Sequence, residues 1–275
     1  MGVFRAVRNG IQYITDIDTA LTNLNKVTDE SLGTLKEFSL EANKIGKNLA
    51  RTTDEVINST TEFARLGYNL KQASILAQKA MLYSNVGDID EVTASTNLIS
   101  AIKGFGIEID AIGRNVQNVV DIYNEVGNNF AISSAGIGEA MARSAASLYG
   151  AGNTIEEAVA MITAANAVIQ NPSSVGTALK TVSMRLRGIA DEGEELEEDL
   201  VPKLRKAFNK LGLEILDNNN TFKSTYDIMN DLAGVWETLT DVQQANITEL
   251  VAGKRQGNIV VSMLNNWKDA EDSLV

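Results

Sequence analysis

The fold of this chain is decided by residues 153–188, which read NTIEEAVAMITAANAVIQNPSSVGTALKTVSMRLRG. Thr154 and Glu157 form a capping box, in which the hydroxyl and the carboxylate each accept a hydrogen bond from a backbone amide at a helix start. Asn171 and Pro172 end this helix and open the next, because proline has no amide donor and a fixed φ. The stretch therefore predicts an antiparallel hairpin of two helices.

Each helix of the predicted hairpin carries an apolar stripe with spacings of three and four residues, which is the pattern of a helix with one buried face. The stripes consist of Ile155, Ala158, Val159, Ile162, Ala165 and Ile169 in the first helix and Val175, Leu179, Val182 and Leu186 in the second. Lys180, Arg185 and Arg187 lie outside the second stripe, and Gly188 follows as a left-handed helix cap. We interpret the three basic residues as a candidate contact face.

Composition favours closely packed helices over a sandwich of strands. Apolar residues make up 44% of the 275 residues and aromatic residues only 5%. Pro172 and Pro202 are the two prolines, so long helices are rarely interrupted. The apolar runs fall short of the roughly 18 residues that a membrane-spanning helix needs. The predicted fold class is an all-α array of many helices without a membrane span.

The charge is strongly negative and concentrated in one run. The formal net charge is −12, and residues 191–199 alone carry −7 before the basic residues that follow Pro202. A protein that binds nucleic acid by neutralising phosphates needs the opposite sign on one face, so specific nucleic-acid binding is not expected. We interpret the acidic run as a linker or the exposed start of a helix.

A helical pattern in residues 52–107 recurs in residues 134–189. The matching positions are 81 to 83 residues apart: Val56 and Ile137, Gly67 and Gly150, Val92 and Val175, and Ile107 and Ile189. This spacing predicts a duplicated three-helix unit. The alternative is that alanine-rich helices of similar length align by chance.

The predicted domain organisation has three parts. Residues 1–50 form an N-terminal helical segment, residues 51–190 the duplicated core, and residues 191–275 the acidic linker with C-terminal helices. Within the last part, apolar and polar residues alternate on both sides of a turn-rich centre, which predicts a short β-hairpin at 213–223. The helical pattern reaches Val275 without a stop signal, so we expect the chain to continue in a longer protein.

The sequence offers little for catalysis. It contains no histidine and no cysteine, which excludes Ser-His-Asp and Cys-His nucleophiles and the common zinc sites. Gly46-Lys47 and Gly253-Lys254 lack the preceding glycine of a phosphate-binding loop. A carboxylate pair remains as an alternative, but no spacing singles one out. We therefore predict no enzymatic activity, no cofactor and no metal site.

Four segments resemble the core region of phage tail tape-measure proteins, and the similarity extends from about Ile11 to Trp267. The segments are residues 63–68, residues 128–133, residues 171–188 with Gly176, Lys180, Arg185, Arg187 and Gly188, and residues 241–258 with Gly253, Lys254, Gln256, Gly257 and Asn258. The ten named residues are the candidate interaction residues. Their order and spacing make the resemblance more specific than any one segment.

The resemblance implies a structural role in the virion. Members of that family are long helical proteins whose length sets the length of the tail, and they leave the tail ahead of the DNA. The implied partners are the tail-tube protein, tail assembly chaperones, distal tail or baseplate proteins, and other copies of the chain. The implied locations are the tail lumen and, during assembly, the cytoplasm of the bacterial host, for a phage or a prophage.

Two other classes of function remain open from the sequence. Alanine-rich helices are also found in membrane-active, pore-forming proteins. A carboxylate-based cell-wall hydrolase is the enzymatic alternative.

Overall fold

The computed structural model describes residues 2–190, 198–218 and 220–274, with side chains described from residue 11 onward. Across these residues it is 75% helical, with fourteen helices and no strand. The all-α prediction is confirmed. The peptide bonds of the described residues are all trans.

The chain forms two compact units. Unit 1 comprises residues 1–95 and 109–117, and unit 2 comprises residues 96–108 and 118–275. Helices α5 (Glu91–Gly104) and α6 (Arg114–Asn129) each have residues in both units.

Unit 1 is built around helix α3, which packs against the three other helices that lie wholly in this unit. The four helices are α1 (Gly2–Thr28), α2 (Leu32–Leu49), α3 (Thr53–Arg65) and α4 (Leu70–Gly87). Ile57 and Phe63 of α3, together with Leu76 and Met81 of α4, are fully buried in its core. Leu24 of α1 and Leu35 of α2 are buried as well, whereas Ile14 and Leu40 of the same helices are exposed. The apolar residues of α1 and α2 are therefore only partly used for packing within the unit.

Unit 2 is built around helix α8, which packs against α7, α9, α11, α13 and α14. The helices that lie wholly in this unit are α7 (Ser134–Gly150), α8 (Ile155–Ile169), α9 (Pro172–Arg185), α10 (Leu200–Asn209), α11 (Thr225–Trp236), α12 (Asp241–Ala252), α13 (Gly257–Asn265) and α14 (Trp267–Asp272). Helix α12 packs instead against α9, α10 and α13. The hairpin predicted from residues 153–188 thus supplies both the centre of the unit and the support for its outer helices.

The predicted helix starts are confirmed where capping chemistry marks them. Thr154 and Glu157 form a complete capping box at the start of α8, and Asn171 caps α9 with Pro172 in its first turn. Complete boxes also begin α3, α4 and α12, where the box residues are Thr52 and Glu55, Asn69 and Gln72, and Thr240 and Gln243. Helix starts of this kind can be predicted because a capping box is satisfied within four consecutive residues and needs no tertiary partner.

Helix α8 differs from the predicted one-sided helix, because residues 158–166 are all buried. Ala160, Met161 and Ala164 lie outside the predicted stripe, yet none of them is exposed. A helix that is apolar on all sides is buried on all sides, and neighbours surround α8. The sequence carries this signal in Ala160, Met161 and Ala164, which are apolar residues outside the predicted stripe.

The predicted duplication is not supported. Val92 is 76% exposed, whereas its supposed counterpart Val175 is fully buried. Gly67 has a φ of 92° after the end of α3, whereas Gly150 is the last residue of helix α7. Helices α7, α8 and α9 pack on one another, but α5 is divided between the two units. The similar spacing therefore reflects helices of similar length rather than a repeated packing unit.

The predicted β-hairpin at 213–223 is also not supported. The described part of this segment, which omits residue 219, contains one isolated antiparallel bridge between Leu216 and Phe222. Two backbone hydrogen bonds accompany it, from the Asp217 amide to the Thr221 carbonyl at 2.7 Å and from the Lys223 amide to the Ile215 carbonyl at 3.1 Å. A two-stranded hairpin is only marginally stable on its own. This short turn instead packs on the rest of unit 2, because Ile215 is fully buried and Arg187 donates to the Lys223 carbonyl.

The compact units have other boundaries than the three predicted segments, and the three-part domain organisation stays a prediction. Residues 191–197 of the predicted acidic linker lie outside the described residues. Among the helices that are described, none has both the length and the hydropathy required to cross a bilayer.

Candidate functional site

The candidate residues of α9 lie at its carboxyl end, where the chain leaves the helix. The helix ends after Arg185, and Gly188 has a φ of 69°. The Gly188 amide donates to the Arg185 carbonyl at 2.9 Å, and the Ile189 amide donates to the Met184 carbonyl at 2.9 Å. This hydrogen-bonded turn fixes the directions in which Arg185 and Arg187 leave the backbone.

Arg185 is buried, with 9% of its surface exposed, and it contacts the end of α12. Its Nε and one terminal nitrogen each donate to the Leu250 carbonyl at 3.3 Å, and the same terminal nitrogen reaches the Glu249 carbonyl at 3.5 Å. Carbonyls in the last turn of a helix lack partners within the helix, and they carry its negative dipole end. Arg185 therefore joins the carboxyl ends of α9 and α12.

Arg187 is half-buried and contacts two other segments of unit 2. One terminal nitrogen donates to the Ala151 carbonyl after α7 and, at 3.0 Å, to the Lys223 carbonyl before α11. The guanidinium carbon lies 5.7 Å from the centre of the Phe222 ring, within the range of a cation–π contact. Burial lowers the pKa of Arg187, but a guanidinium stays charged at neutral pH.

We call Arg185, Arg187 and the groups they contact the arginine hub. A hydrogen bond between α11 and α9 lies beside the hub, in which the Thr225 hydroxyl donates to the Ser183 hydroxyl at 3.2 Å. Buried Asn153 adds a second link to the start of α11, since its side-chain oxygen accepts from the Tyr226 amide at 2.8 Å. The hub thus joins helix ends that are distant in sequence.

Gly176 lies where α9 crosses α7, and Lys180 lies half-buried one turn further along α9. A β-carbon at position 176 would overlap the Ala140 carbonyl oxygen and would lie 2.8 Å from the Ala140 Cα. Glycine at this position therefore allows the two backbones to approach more closely than any other residue would.

The second group of candidate residues forms the connection between α12 and α13. Gly253 caps α12 with a φ of 64°, and its amide donates to the Glu249 carbonyl at 2.9 Å. Gln256 precedes α13, and its carbonyl accepts from the Ile259 amide at 3.1 Å. A β-carbon on Gly257 would lie 3.1 Å from the Thr248 methyl group. Lys254 and Asn258 are exposed.

The structure brings the two groups of candidate residues together through Arg185, which binds α12 three residues before Gly253. It does not place Lys254, Gln256 or Asn258 in the arginine hub. Sequence reasoning missed Asn153, Thr225 and Phe222, because each acts through a partner more than thirty residues away. No local pattern of residues marks such a contact.

Among the described carboxyl groups, Glu157 is the one whose pKa is raised. Burial raises the pKa of Glu157 above its ordinary value of 4.5, the hydrogen bond from the Thr154 amide opposes this, and the charges of Asp227 and Glu156 add to it. Its carboxylate is already used in the capping box of α8. No group of three or more acidic residues in the described part of the chain is arranged to hold a metal ion.

The fold and the site together define an all-helical protein whose distinguishing side chains join helix ends. The family model for phage-related minor tail proteins matches residues 39–253, which is most of the chain. The chain therefore belongs to the family of phage-related minor tail proteins. Membership supports a structural role as a component of the phage tail, alongside other tail components. No solved structure matches the chain.

Proposed function

We propose that this chain is the core of a tape-measure protein, a non-enzymatic component that sets the length of the phage tail and is released ahead of the DNA. The observation that carries the proposal is the family match over residues 39–253, which contains the first three segments that resemble tape-measure proteins and the beginning of the fourth. The arginine hub supports a structural role, because its polar side chains are used in contacts between helices.

Tail length tests the proposed ruler function. In a phage that encodes this chain, in-frame deletions or duplications are made in helical parts of the same protein outside residues 39–253. A helical ruler changes length by about 1.5 Å per residue, so the tails seen by electron microscopy should shorten or lengthen in proportion. Tails of unchanged length would contradict the ruler function.

The proposed location inside the tail has its own test. In intact virions the protein should be protected from added protease, and it should become accessible once DNA ejection has been triggered. Before assembly it should be found in the host cytoplasm, where we propose that it binds assembly chaperones, tail-tube subunits, distal tail or baseplate proteins and other copies of itself. Digestion in intact virions under conditions that spare the tail tube would contradict a lumenal position.

Two assays address the alternatives. Zymography on peptidoglycan should show no cleared zone, and a zone that disappears on mutation of one carboxylate would replace our proposal with a wall hydrolase. Dye-filled liposomes should stay intact over a wide range of pH. Leakage caused by this chain would favour a membrane-active function.

A further inference from the structure

Helix α10 concentrates positive charge in an acidic protein. Residues 200–212 contain Lys203, Arg205, Lys206 and Lys210 but no acidic residue, although the whole chain has a net charge of −12. Leu200, Leu204 and Phe208, which are spaced four residues apart on α10, are buried in unit 2. All four basic side chains are exposed as a consequence.

A groove of about 430 Å³ lies between α10 and α12, and we call it the lysine groove. Lys203, Lys206 and Lys210 line one side, and its apolar surface includes Leu211, Ile247 and Val242. Val242 is 78% exposed, although it is a β-branched apolar residue on a helix surface. No carboxylate lines the groove among the described residues.

The charges of the groove are only partly balanced within the described residues. Lys203 pairs with Asp199 at 3.0 Å. None of the described acidic residues forms an ion pair with Lys206 or Lys210. A partner that carries carboxylates can therefore gain charge-assisted hydrogen bonds here without displacing an ion pair seen in this part of the chain.

We propose that the lysine groove binds an acidic amphipathic helix of a partner protein. Apolar side chains of that helix would cover Val242 and the apolar surface, and its carboxylates would face Lys206 and Lys210. Helices commonly bind grooves in this way, through anchors spaced three and four residues apart. The inference comes from the shape and charge of the groove, and it does not depend on the tape-measure function.

The combination of apolar surface and lysines favours this partner over nucleic acid. Phosphate-binding surfaces gain their affinity from many basic contacts and are polar, whereas this groove has an exposed apolar edge. The strongly negative net charge also disfavours approach to a polyanion such as DNA or an anionic membrane. A short acidic segment is small enough to interact with the local positive charge alone, within a Debye length of about 8 Å at physiological salt.

Fluorescence anisotropy with a labelled synthetic peptide tests the proposal. The probe is a helical peptide of about 14 residues with leucines spaced three and four apart and glutamates between them, and its counterpart carries lysines in place of the glutamates. The whole chain should bind the acidic peptide at least about tenfold more tightly than the basic one. Equal binding of the two peptides, or no binding of the acidic one, would overturn the proposal.

Two variants locate the binding. The double variant K206E/K210E should weaken binding of the acidic peptide by about tenfold or more, and Val242→Asn should weaken it severalfold without changing its salt dependence. The matched control is K44E/K47E, which makes the same change in charge at exposed positions of α2 in unit 1. Circular dichroism first establishes that each variant is folded. An equal loss of affinity for the acidic peptide in K44E/K47E would show that only the overall charge matters, and the proposal would fail.

Other occupants are distinguished by two further measurements. The first is binding of a labelled DNA duplex to the wild-type chain and to K206E/K210E. Binding to the wild type that is lost in the double variant would assign the groove to nucleic acid and overturn the proposal. Sedimentation of the wild-type chain and K206E/K210E tests a second copy as the occupant. Self-association that disappears in the double variant would likewise replace the partner helix with a second copy.

Discussion

Arg185 donates to the Leu250 carbonyl in the last turn of α12, where helix carbonyls lack amide partners in their own helix. Its guanidinium is buried, so that both its charge and its donors are used within the protein. Removal of such a donor leaves a carbonyl without its partner, and hydrogen bonds that involve a charged group contribute about 1.5–3 kcal/mol. Arg185 is therefore expected to matter for stability whatever the protein binds.

Replacement of Arg185 by Met should lower the free energy of unfolding by about 1–3 kcal/mol, because the Leu250 carbonyl at the end of α12 loses its charged donor. The free energy of unfolding of Arg185→Lys should lie between those of the wild type and Arg185→Met, because an ammonium keeps the charge but lacks the planar arrangement of donors. Urea unfolding followed by tryptophan fluorescence measures both, since Trp236 and Trp267 lie in unit 2. A wild-type midpoint for Arg185→Met would contradict the role of the hub.

Charge reversal of Lys180, Arg185 and Arg187 would be the direct test of a contact face formed by these residues. The hub changes the design of that experiment, because reversal of Arg185 or Arg187 would place acidic groups beside backbone carbonyls. A loss of tail assembly in such variants would report misfolding as well as a lost contact. Exposed Lys254 is the better position for charge reversal in an assembly assay.

Glu157 makes the stability of unit 2 depend on pH. Its pKa is raised in the folded state, so the folded protein favours the protonated form. The corresponding stability is fully present below the ordinary value of 4.5, and it is lost as the pH rises through the higher folded pKa. At neutral pH the ionised carboxylate is therefore less favourable in the folded state than in the unfolded state.

Replacement of Glu157 by Gln should raise the thermal midpoint at pH 7 relative to the wild type, and the difference should shrink toward zero as the pH falls below 4.5. Gln can still complete the capping box, as Gln72 and Gln243 do at two other helix starts of this chain. Calorimetry between pH 4 and pH 8 measures the difference. A variant that is less stable at pH 7 and equally so at pH 4 would show that the capping charge outweighs burial.

At the scale of the element, the α7–α9 crossing depends on the absence of a side chain at position 176. A β-carbon there would meet the backbone of Ala140, which is not free to rotate away as a flexible side chain would be. Overpacking of this kind forces helices apart and costs about 1–3 kcal/mol. Helix α9 is also the support for α12, so the effect should spread through unit 2.

Replacement of Gly176 by Ala should therefore lower the free energy of unfolding by about 1–3 kcal/mol, although alanine is the better helix former. The matched control is Gly150→Ala, because Gly150 also lies in a helix but has open space around its would-be β-carbon. The control substitution should leave the free energy of unfolding unchanged or raise it slightly. Chemical unfolding of both variants measures the contrast, and equal effects would show that the close crossing is unimportant.

The helices themselves could be predicted to different degrees. Helix starts with capping boxes, such as Thr154 and Glu157, were predicted because every partner lies within one turn. The extent of burial of α8 was missed, because the number of neighbours around a helix is a property of the tertiary structure. The bridge at Leu216 was predicted as a hairpin, because alternation over a few residues is a weak signal.

At the scale of the whole molecule, the dominant property is a net charge of −12, more than half of which comes from residues 191–199. Like charges destabilise a compact chain by mutual repulsion, and salt reduces this repulsion. The Debye length falls from about 30 Å at 0.01 M to about 8 Å at 0.15 M ionic strength. Over this range, repulsion between distant surface charges is largely screened.

The thermal midpoint should therefore rise between about 0.01 M and 0.15 M sodium chloride. Replacement of the seven acidic residues of 191–199 by their amides should make this rise smaller, since it removes the largest concentration of negative charge. Differential scanning calorimetry of both proteins measures the change. A midpoint that falls as salt is added would show that favourable ion pairs outweigh the repulsion.

The sequence by itself determined the helical class, the main capped helix starts and the membership in a phage tail family, because these depend on local hydrogen bonding and on short motifs in order. The tertiary structure alone decided which helices meet. It packs several helices around α8, divides the residues of α5 between two units, and uses Arg185 and Arg187 to link helix ends. The physical reason is that a buried arginine is specified by carbonyl groups distant in sequence, which no local spacing of residues can identify.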